Sequence, residues 1–357
     1  MGNKRHPIWL LLKLVFVLLV LAAVPFLVEI VLRKVGVHPW RYESMRAARY
    51  AGGPAMHEPD PVLGWRNKPG TYTRELYLPG YDEPAVTTIL ADGSRRTGRQ
   101  VVSARARRVA VVGGAFTQGW CLSDDQTFAS LLEQSLTGAD VENHACVGYG
   151  TYQSLLLVER LMSNAPPRVV VYGLVEDHEA INVASYDVMR MLSELAHRRG
   201  MAYPLPYCDL AADGTLVRYE PESYPPRRGI EHSAILNAIH RAKLREQWRG
   251  RSAAKRAVTL EILRAMHTAC RAADAWLVVA VLSLERDGAR EYQRFFKEWG
   301  VAFVDCRLEW TPRYVVPDEE HPAAPAHDFW AKRMRKAVQD ALQDYEPVWV
   351  PLEEDES

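Results

Sequence analysis

The 357-residue chain is long enough for one large core with accessory elements, and its length does not require two full domains. Its 44 Lys and Arg residues balance 44 Asp and Glu residues, which removes any bulk electrostatic argument for nucleic acid as a partner. Five cysteines stand far apart with no CxxC pair, so neither a zinc ribbon nor a disulfide framework is indicated. We predict isolated, buried thiols.

The N-terminal segment 8–28 is an apolar run that is interrupted only by Lys13. A run of this length spans a bilayer core as a helix, and the long side chain of Lys13 can reach the headgroups. We therefore predict that residues 1–39 form a short cytoplasmic stub and an uncleaved transmembrane anchor. A cleaved signal peptide is the alternative, because Ala22 and Ala23 are small, yet the apolar run continues past them. Basic residues flank the run on both sides, so charge alone does not decide the orientation.

The rest of the chain divides into a β-rich lead-in region at 40–107 with many Gly and Pro turns, and an alternation of strands and helices at 108–350. The strands are predicted at 109–112, 141–145, 169–175, 276–282 and 302–304, and the helices at 126–136, 153–162, 253–273, 289–299 and 326–345. This alternation predicts a three-layer α/β/α sandwich around a parallel sheet. A polar, proline-containing stretch at 183–250 predicts an insertion over one end of the sheet, and residues 351–357 predict a solvated acidic tail.

Four segments with polar or glycine residues fall where strands of this sheet are predicted to end, or just before the last helix. They are VVGGAFTQG at 111–119, NHACVGYGTYQ at 143–153, GLVEDH at 173–178 and DEEHP at 318–322. Ligands of such sheets bind at the C-terminal ends of the strands. An Asp three residues ahead of a His can orient its imidazole and hold its tautomer, as the base of an acyl transfer requires. The segments therefore indicate one site at this edge of the sheet.

The order and spacing of these segments resemble the SGNH (GDSL-like) hydrolase family over most of 108–345. The stretches GWCLSDDQTFASLLEQ, VGYGTYQ and DEEHPAAPAH, and the leader EPDPVLGWRNKPG, look like family members that carry N-terminal anchors. The resemblance implies an SGNH fold in which a Ser attacks an ester carbonyl, a His is the base and an Asp orients it. It further implies that the Ser amide, a Gly and an Asn form the oxyanion hole.

Carried over residue by residue, Gly148 matches the oxyanion glycine, and Asp318 and His321 match the orienting acid and the base. Other positions depart from the family pattern. Gly114 stands where the Asp of Gly-Asp-Ser would be, and Ala115 stands where the nucleophile would be; Asp177-His178 replace Asn-Asp. Alanine has no nucleophilic atom, and a carboxylate at 177 would repel a developing oxyanion, so we expect impaired serine-type catalysis.

Each of the other polar groups near this turn has a structural and a functional interpretation. Thr117 is either a helix N-cap or a nucleophile, with the N-cap favoured, and Cys121 and Cys146 are interpreted as packed thiols because nothing shows that they are activated. The retained dyad at 318 and 321 is either a working base or a relic that stabilises the start of the last helix. An oxygen and nitrogen metal site is a further alternative, formed by Asp177, His178, Asp318 and His321.

Three functions follow from this interpretation. The first is a catalytically impaired SGNH-like protein of the cell envelope that binds an acylated glycan or lipid, or supports a membrane O-acyltransferase. The second is an active esterase or acyl transferase with a rearranged site that uses His321 and Asp318. The third is a structural interaction domain without pocket chemistry. The resemblance places the domain outside the cytoplasm, and we predict no cofactor.

Overall fold

A computed structural model of the chain describes residues 6–40, 56–74, 84–98, 107–224, 229–317 and 319–344. Asp318 and the predicted acidic tail lie outside the described residues. The chain forms two compact units. One comprises residues 1–43 and 224–249, and the other comprises residues 44–223 and 250–357.

The helices and strands follow one another along the chain as an N-terminal helix, two small hairpins and a long alternation. The helices are α1 (His6–Lys34), α2 (Ala115–Gln118), α3 (Phe128–Ser135), α4 (Thr151–Asn164), α5 (Asp177–Asn182), α6 (Tyr186–Arg199), α7 (Ala234–Gln247), α8 (Arg249–Ala253), α9 (Lys255–Ala272), α10 (Arg286–Trp299) and α11 (Ala324–Leu342). The strands are β1 (His57–Asp60), β2 (Gly64–Asn67), β3 (Gly70–Arg74), β4 (Ala85–Ile89), β5 (Arg107–Gly113), β6 (Ala139–Asn143), β7 (Val169–Val175), β8 (Leu205–Leu210), β9 (Leu216–Glu222), β10 (Trp276–Ser283), β11 (Ala302–Asp305), β12 (Val315–Val316) and β13 (His321–Pro322).

The smaller unit contains α1 and α7. Residues 8–34 of α1 form a helix long and apolar enough to cross a membrane, and the large apolar side chains along it are exposed. A membrane anchor and a signal sequence both fit this helix. Ser233 caps the first turn of α7, because its hydroxyl accepts a hydrogen bond from the backbone N–H of Leu236 at 3.3 Å.

The larger unit is built on a five-stranded sheet in the order β11-β10-β7-β5-β6, with every neighbouring pair parallel. The chain enters the sheet at β5, adds β6 on one side, and then crosses to β7 on the other side. This is the doubly wound order whose connections diverge between the first and third strands of the sheet, here β5 and β7. A crevice for a ligand is expected at the C-terminal ends of these two strands.

Two apolar cores lie on opposite faces of the sheet. On one face α3 and α11 pack through residues such as Leu132 and Trp330. On the other face α4, α9 and α10 pack through residues such as Leu155, Ile262 and Phe296. Every residue of β7 is buried, as an apolar strand covered by helices on both faces requires. The predicted α/β/α sandwich is therefore confirmed.

The predicted strands and helices of the sandwich are all present, with shifted ends. The predicted helix at 126–136 begins as a 3-10 turn at Asp124–Gln126, and α3 itself starts at Phe128 after the N-cap Thr127. The stretch 183–250 contains α6, the antiparallel hairpin of β8 and β9, and α7. In the lead-in region, β1 pairs with β2 and β3 pairs with β4, both antiparallel.

Candidate functional site

The glycine-rich turn after β5 lies where the strand connections diverge. Gly113 and Gly173 are direct neighbours in the pairing of β5 with β7. Thr117 lies beneath both: its Oγ1 would be 2.4 Å from a Cβ at Gly113 and 2.1 Å from one at Gly173. Only glycine fits opposite this side chain. The N-cap of α2 is Gly114, so the interpretation of Thr117 as an N-cap is wrong, and its full burial removes it as a nucleophile.

Ala115 is the first residue of α2 and is half-buried. It therefore lies at the C-terminal end of β5, at the point where a doubly wound sheet binds its ligand. A methyl group there can pack against a ligand but cannot attack one.

Gly114 is covered by the ring of His178. A Cβ at Gly114 would be 2.8 Å from His178 Nε2 and 2.8 Å from the carbonyl oxygen of Tyr149. The aspartate that the SGNH pattern has at this position would collide with both groups. Gly114 and His178 are thus complementary departures from that pattern, because the ring occupies the space that the missing side chain would need.

A buried network of polar groups holds His178 in place. Its Nδ1 lies 2.7 Å from the hydroxyl of Tyr172, which is 2.8 Å from Thr151 Oγ1. The amide of Asn182 donates to Thr151 Oγ1 at 2.9 Å and to Thr259 Oγ1 at 2.8 Å. Burial lowers the pKa of His178 to about 3, so the ring is neutral at physiological pH. Asp177 begins α5 with its side chain exposed, so position 178 turns inward and position 177 outward.

Gly148 is covered by the indole of Trp65, a residue of the lead-in hairpin. A Cβ at Gly148 would be 3.0 Å from Trp65 Cζ2, and the indole N–H donates to the carbonyl of Val147 at 3.0 Å. Trp65 is only 1% exposed. Further bonds fix this hairpin: the Tyr149 hydroxyl donates to the carbonyl of Trp65 at 2.5 Å, and Gln153 donates to the carbonyl of Leu63 at 2.8 Å. The indole of Trp65 therefore packs against one side of the matched oxyanion glycine, which is itself half-buried.

His321 lies in β13 opposite Val316, just before α11. Its Nδ1 is 2.5 Å from the backbone carbonyl oxygen of Glu319. Because a carbonyl only accepts hydrogen bonds, Nδ1 carries the proton in the neutral ring, and Nε2 is the basic nitrogen. Burial lowers the pKa of His321, the bond to Glu319 opposes this, and the charge of Arg74 adds to the lowering. The carbonyl of Glu319 thus sets the tautomer of His321, while the predicted contact of Asp318 with this ring lies outside the described residues.

Aromatic rings surround His321 on the side of α2. Phe116 lies edge-on to it with ring centroids 5.8 Å apart, and Trp120 lies at 6.4 Å. Trp310 packs edge-on against Phe116 at 5.8 Å and is 40% exposed. The guanidinium of Arg74 stacks 3.6 Å from the ring centre of Trp120. We call Phe116, Trp120, Trp310 and His321 the aromatic patch.

A buried arginine fixes the loop after α2. Arg95 is 1% exposed and donates to the carbonyls of Gln118 at 2.9 Å, Gly119 at 2.8 Å and Leu122 at 2.6 Å. It also pairs with Asp124 at 3.0 Å. The sequence analysis missed Arg95 and Trp65, because only the packing of the lead-in region brings them to the turn. It also missed His178 as a core group, because the inward direction of this residue at the start of α5 is a matter of local backbone geometry. The one sequence feature that pointed to Trp65 was the segment EPDPVLGWRNKPG, which contains this residue and resembles the leader of anchored SGNH family members.

The turn at 113–116 thus has His178 against Gly114 and His321 against Phe116, while Trp65 covers Gly148 in the second segment. Within the described residues, no group of three or more His, Cys, Asp or Glu side chains is arranged to hold a metal ion. The five cysteines are all free and buried, as predicted. Burial raises the pKa of the Cys146 thiol, which keeps it protonated and unreactive.

A cavity of about 250 Å³ lies beside the second segment and includes Cys146 and Tyr149 in its wall. Its three guanidinium groups are already paired with carboxylates: Arg66 with Glu58, Arg108 with Glu142, and Arg160 with Asp60. Neither Ala115 nor His321 lines it. The cavity is therefore separate from the aromatic patch.

Solved structures, among them an esterase and a GDSL-like lipase, are similar in fold to this chain. No protein-family model matches the chain, and no curated protein matches it. The crystal structure of TesA is similar over 66% of this chain and 99% of that chain, with 15% identity and a TM-score of 0.40. The psychrotrophic esterase EstA from Pseudoalteromonas sp. matches over 67% and 100%, with 10% identity and a TM-score of 0.38. A GDSL-like lipase from Bacteroides thetaiotaomicron matches over 68% and 93%, with 15% identity and a TM-score of 0.36.

Proposed function

We propose that this chain is an SGNH-like protein of the cell envelope that binds acyl esters at the turn between β5 and α2 without serine-type hydrolysis. The observation that carries this proposal is Ala115 at the first position of α2, where the strand connections diverge. Acyl transfer through a covalent intermediate needs a nucleophile at this place, and a methyl group has none.

The surroundings of Ala115 support a binding role for this turn over a catalytic one. Gly148 is half-buried, and the indole of Trp65 packs against one side of it, which narrows the approach of a ligand to that position. Asp177 replaces the amide donor of the SGNH pattern, and it is exposed and faces outward. A tetrahedral intermediate at this turn therefore lacks the donor that this position supplies in the SGNH pattern.

The ligand that we propose is an acyl ester carried by a glycan or a lipid. The aromatic patch offers an apolar surface beside a hydrogen-bonding imidazole, the usual combination in sites for small organic ligands. Trp310 is its most exposed aromatic member. The acyl group would pack on Trp310 and Phe116, while His321 Nε2 would accept a hydrogen bond from a hydroxyl group of the ligand.

The proposed location follows from α1. If α1 stays in the membrane, the domain is held at the membrane surface, outside the cytoplasm, as the sequence resemblance implies. The partner that we propose is a membrane O-acyltransferase, whose acylated donor or product this domain would hold. An alkaline phosphatase fused to the C-terminus should be active, and activity of a cytoplasmic reporter only at this position would contradict the proposed location.

Two measurements on the full-length protein in nanodiscs test the function. A fluorophosphonate probe and p-nitrophenyl acetate should show neither labelling nor turnover. An acetylated xylo-oligosaccharide and a lysophospholipid serve as the glycan and lipid ligands, each titrated by calorimetry. Trp310→Ala should weaken binding of the recognised ligand by about tenfold or more, as loss of an aromatic anchor does. Trp299→Ala is the matched control, because Trp299 is 38% exposed and lies on α10.

The alternative is an active esterase or acyl transferase with a rearranged site. It is favoured by the bond between His321 Nδ1 and the carbonyl of Glu319, which makes Nε2 the basic nitrogen of the ring. A water molecule would then be the nucleophile for hydrolysis, or an acceptor hydroxyl for transfer. Turnover of p-nitrophenyl acetate by the unmodified protein, abolished by His321→Ala and resistant to fluorophosphonate, would establish this alternative and reject the binding protein.

A further inference from the structure

Glu29 of α1 binds the first turn of α7. Its carboxylate accepts hydrogen bonds from the backbone N–H groups of Ala234 at 2.8 Å and Ile235 at 3.1 Å, and from the Ser233 hydroxyl at 2.9 Å. The first N–H groups of a helix have no partner within the helix, and a carboxylate satisfies them well. The start of α7 is therefore fixed at the level of Glu29.

Contacts on either side of Glu29 strengthen this attachment. Arg33 donates to the carbonyl of His232 at 3.0 Å, and the side-chain amide of Asn237 donates to the carbonyl of His38 at 2.8 Å. The backbone N–H of Trp40 donates to the carbonyl of Ile230 at 2.8 Å. Residues on both sides of the end of α1 thus hold the segment that leads into α7.

The apolar run of α1 sets the depth of Glu29. The run covers residues 8–28, and at a rise of about 1.5 Å per residue it spans about 30 Å, the thickness of a bilayer core. Glu29 is the first residue after this run. A carboxylate at this position lies at the boundary between hydrocarbon and headgroups, so the first turn of α7 lies there as well.

One face of α7 carries exposed apolar side chains. Leu236 is 48% exposed and Ile239 is 57% exposed, and they are one turn apart. The opposite side of the helix is buried through Asn237, His240 and Leu244. Lys243 continues the exposed line one turn beyond Ile239, and its long side chain suits a lipid surface because the stem is apolar and the head is charged.

The charge of α7 also fits an anionic surface. The helix carries Arg241, Lys243 and Arg245 against a single acidic residue, Glu246. Helices with an apolar face and basic residues lie in the membrane interface with their apolar side chains below the headgroups. We propose that α7 is such an interfacial helix, and that Leu236 and Ile239 enter the bilayer that α1 spans. This inference rests on the proposed anchoring of α1.

Quenching by spin-labelled lipid tests this surface. Leu236→Cys in the full-length protein is labelled with an environment-sensitive maleimide dye; the five native cysteines are buried and react slowly. The protein is placed in nanodiscs of phosphatidylcholine and phosphatidylglycerol with a nitroxide near the headgroups. We expect the dye emission to fall by about twofold or more, as for a side chain below the headgroups. Ile239→Cys should behave in the same way.

Val62→Cys is the matched control, since Val62 is also 48% exposed but belongs to the larger unit. Its dye should not be quenched. Incorporation into nanodiscs without quenching at 236 and 239 would overturn the interfacial helix and leave the anchor standing. Failure to incorporate would overturn both. Self-quenching between labelled copies without quenching by lipid would show that this face of α7 binds a second copy of this chain, which would overturn the proposal. Equal quenching at position 62 would show that contact with lipid is not specific to α7.

Discussion

The indole of Trp65 lies directly over the backbone of Gly148, 3.0 Å from the position that a Cβ would take. The backbone of Gly148 has φ +83°, a conformation that residues with a side chain rarely adopt. Two physical reasons therefore require glycine here. The lead-in hairpin and the second segment of the site are coupled through this contact.

A double-mutant cycle measures that coupling. Trp65→Ala should destabilise the protein by about 3–5 kcal/mol, as loss of a buried Trp does. Gly148→Ala should cost about 1–2 kcal/mol for its backbone conformation, plus the contact with the indole. Gly214→Ala is the matched control, because Gly214 has the same φ of +83° with nothing within 4 Å. The excess cost of Gly148→Ala should disappear in the Trp65→Ala protein when unfolding by urea is measured, and an excess that persists would contradict the contact.

Gly114→Ala isolates the contact with His178. The backbone of Gly114 has φ −91°, which any residue adopts, so the cost is steric. The new methyl group would meet His178 Nε2 and the carbonyl of Tyr149 at 2.8 Å, and we expect a loss of about 1–3 kcal/mol of unfolding free energy. Gly250→Ala, with nothing within 4 Å, should show no such loss. Equal stabilities of the two variants would show that the ring of His178 can move away.

Ala115→Ser should not restore serine-type hydrolysis. The hydroxyl would stand at the start of α2, but position 177 offers no amide donor to an oxyanion, and His178 occupies the space of the Asp that precedes the nucleophile in the SGNH pattern. Adding Gly114→Asp is expected to disrupt the site, because His178 occupies the space of that side chain. The test is p-nitrophenyl acetate turnover by Ala115→Ser and by Ala115→Ser with Asp177→Asn, with circular dichroism as a folding control. Strong fluorophosphonate labelling of either variant would show that the new hydroxyl is activated and would contradict this prediction.

Stability should fall as the pH is lowered from about 6.5, because buried neutral histidines cannot take up protons until the protein unfolds. Burial lowers the pKa of His178 and of His327 to about 3 in the folded protein, whereas the unfolded chain binds these protons near 6.5. The contribution of each group is present above pH 6.5 and is lost as the pH falls toward 3. Between pH 6 and 5, each should contribute up to about 1.4 kcal/mol per pH unit.

Replacement of His178 by Gln tests the sign of this pH dependence of the unfolding free energy. The variant is less stable at pH 7, but its unfolding free energy should decline less steeply between pH 6 and 5, as read from urea titrations. His232→Gln, at an 82% exposed side chain, is the control and should keep the slope of the parent protein. An unchanged slope in His178→Gln would mean that the ring takes up a proton without unfolding.

The N-terminal helix should behave as an uncleaved anchor. Residues 8–34 are long and apolar enough to cross a bilayer, so alkaline carbonate should leave the full-length protein in the membrane fraction. Introducing two Asp residues in place of Leu18 and Leu19 should release it, since charges at the bilayer centre are costly. A mature N-terminus near residue 24, found by mass spectrometry, would instead identify a cleaved signal peptide.

Periodicity determined much of the fold in advance. Val169–Val175 is a short, continuous apolar run, which is typical of a strand covered on both faces, and β7 occupies the predicted residues. The order of strands was not predictable in this way, because β6 and β7 are both parallel neighbours of β5 and periodicity carries no information about which side each takes.

The position of Ala115 at the turn was predictable because it follows a strand of the parallel sheet, and ligands bind at the C-terminal ends of such strands. The position of His321 near the turn was predicted from the resemblance in motif order, since β13 belongs to a separate two-stranded sheet. The role of Trp65, the inward turn of His178 with Asp177 facing outward, and the carbonyl of Glu319 as the partner of His321 were decided by tertiary structure alone. Each depends on contacts between residues far apart in the chain, or on one local backbone direction. Side-chain packing decides these at the scale of an ångström, which residue type and spacing do not encode.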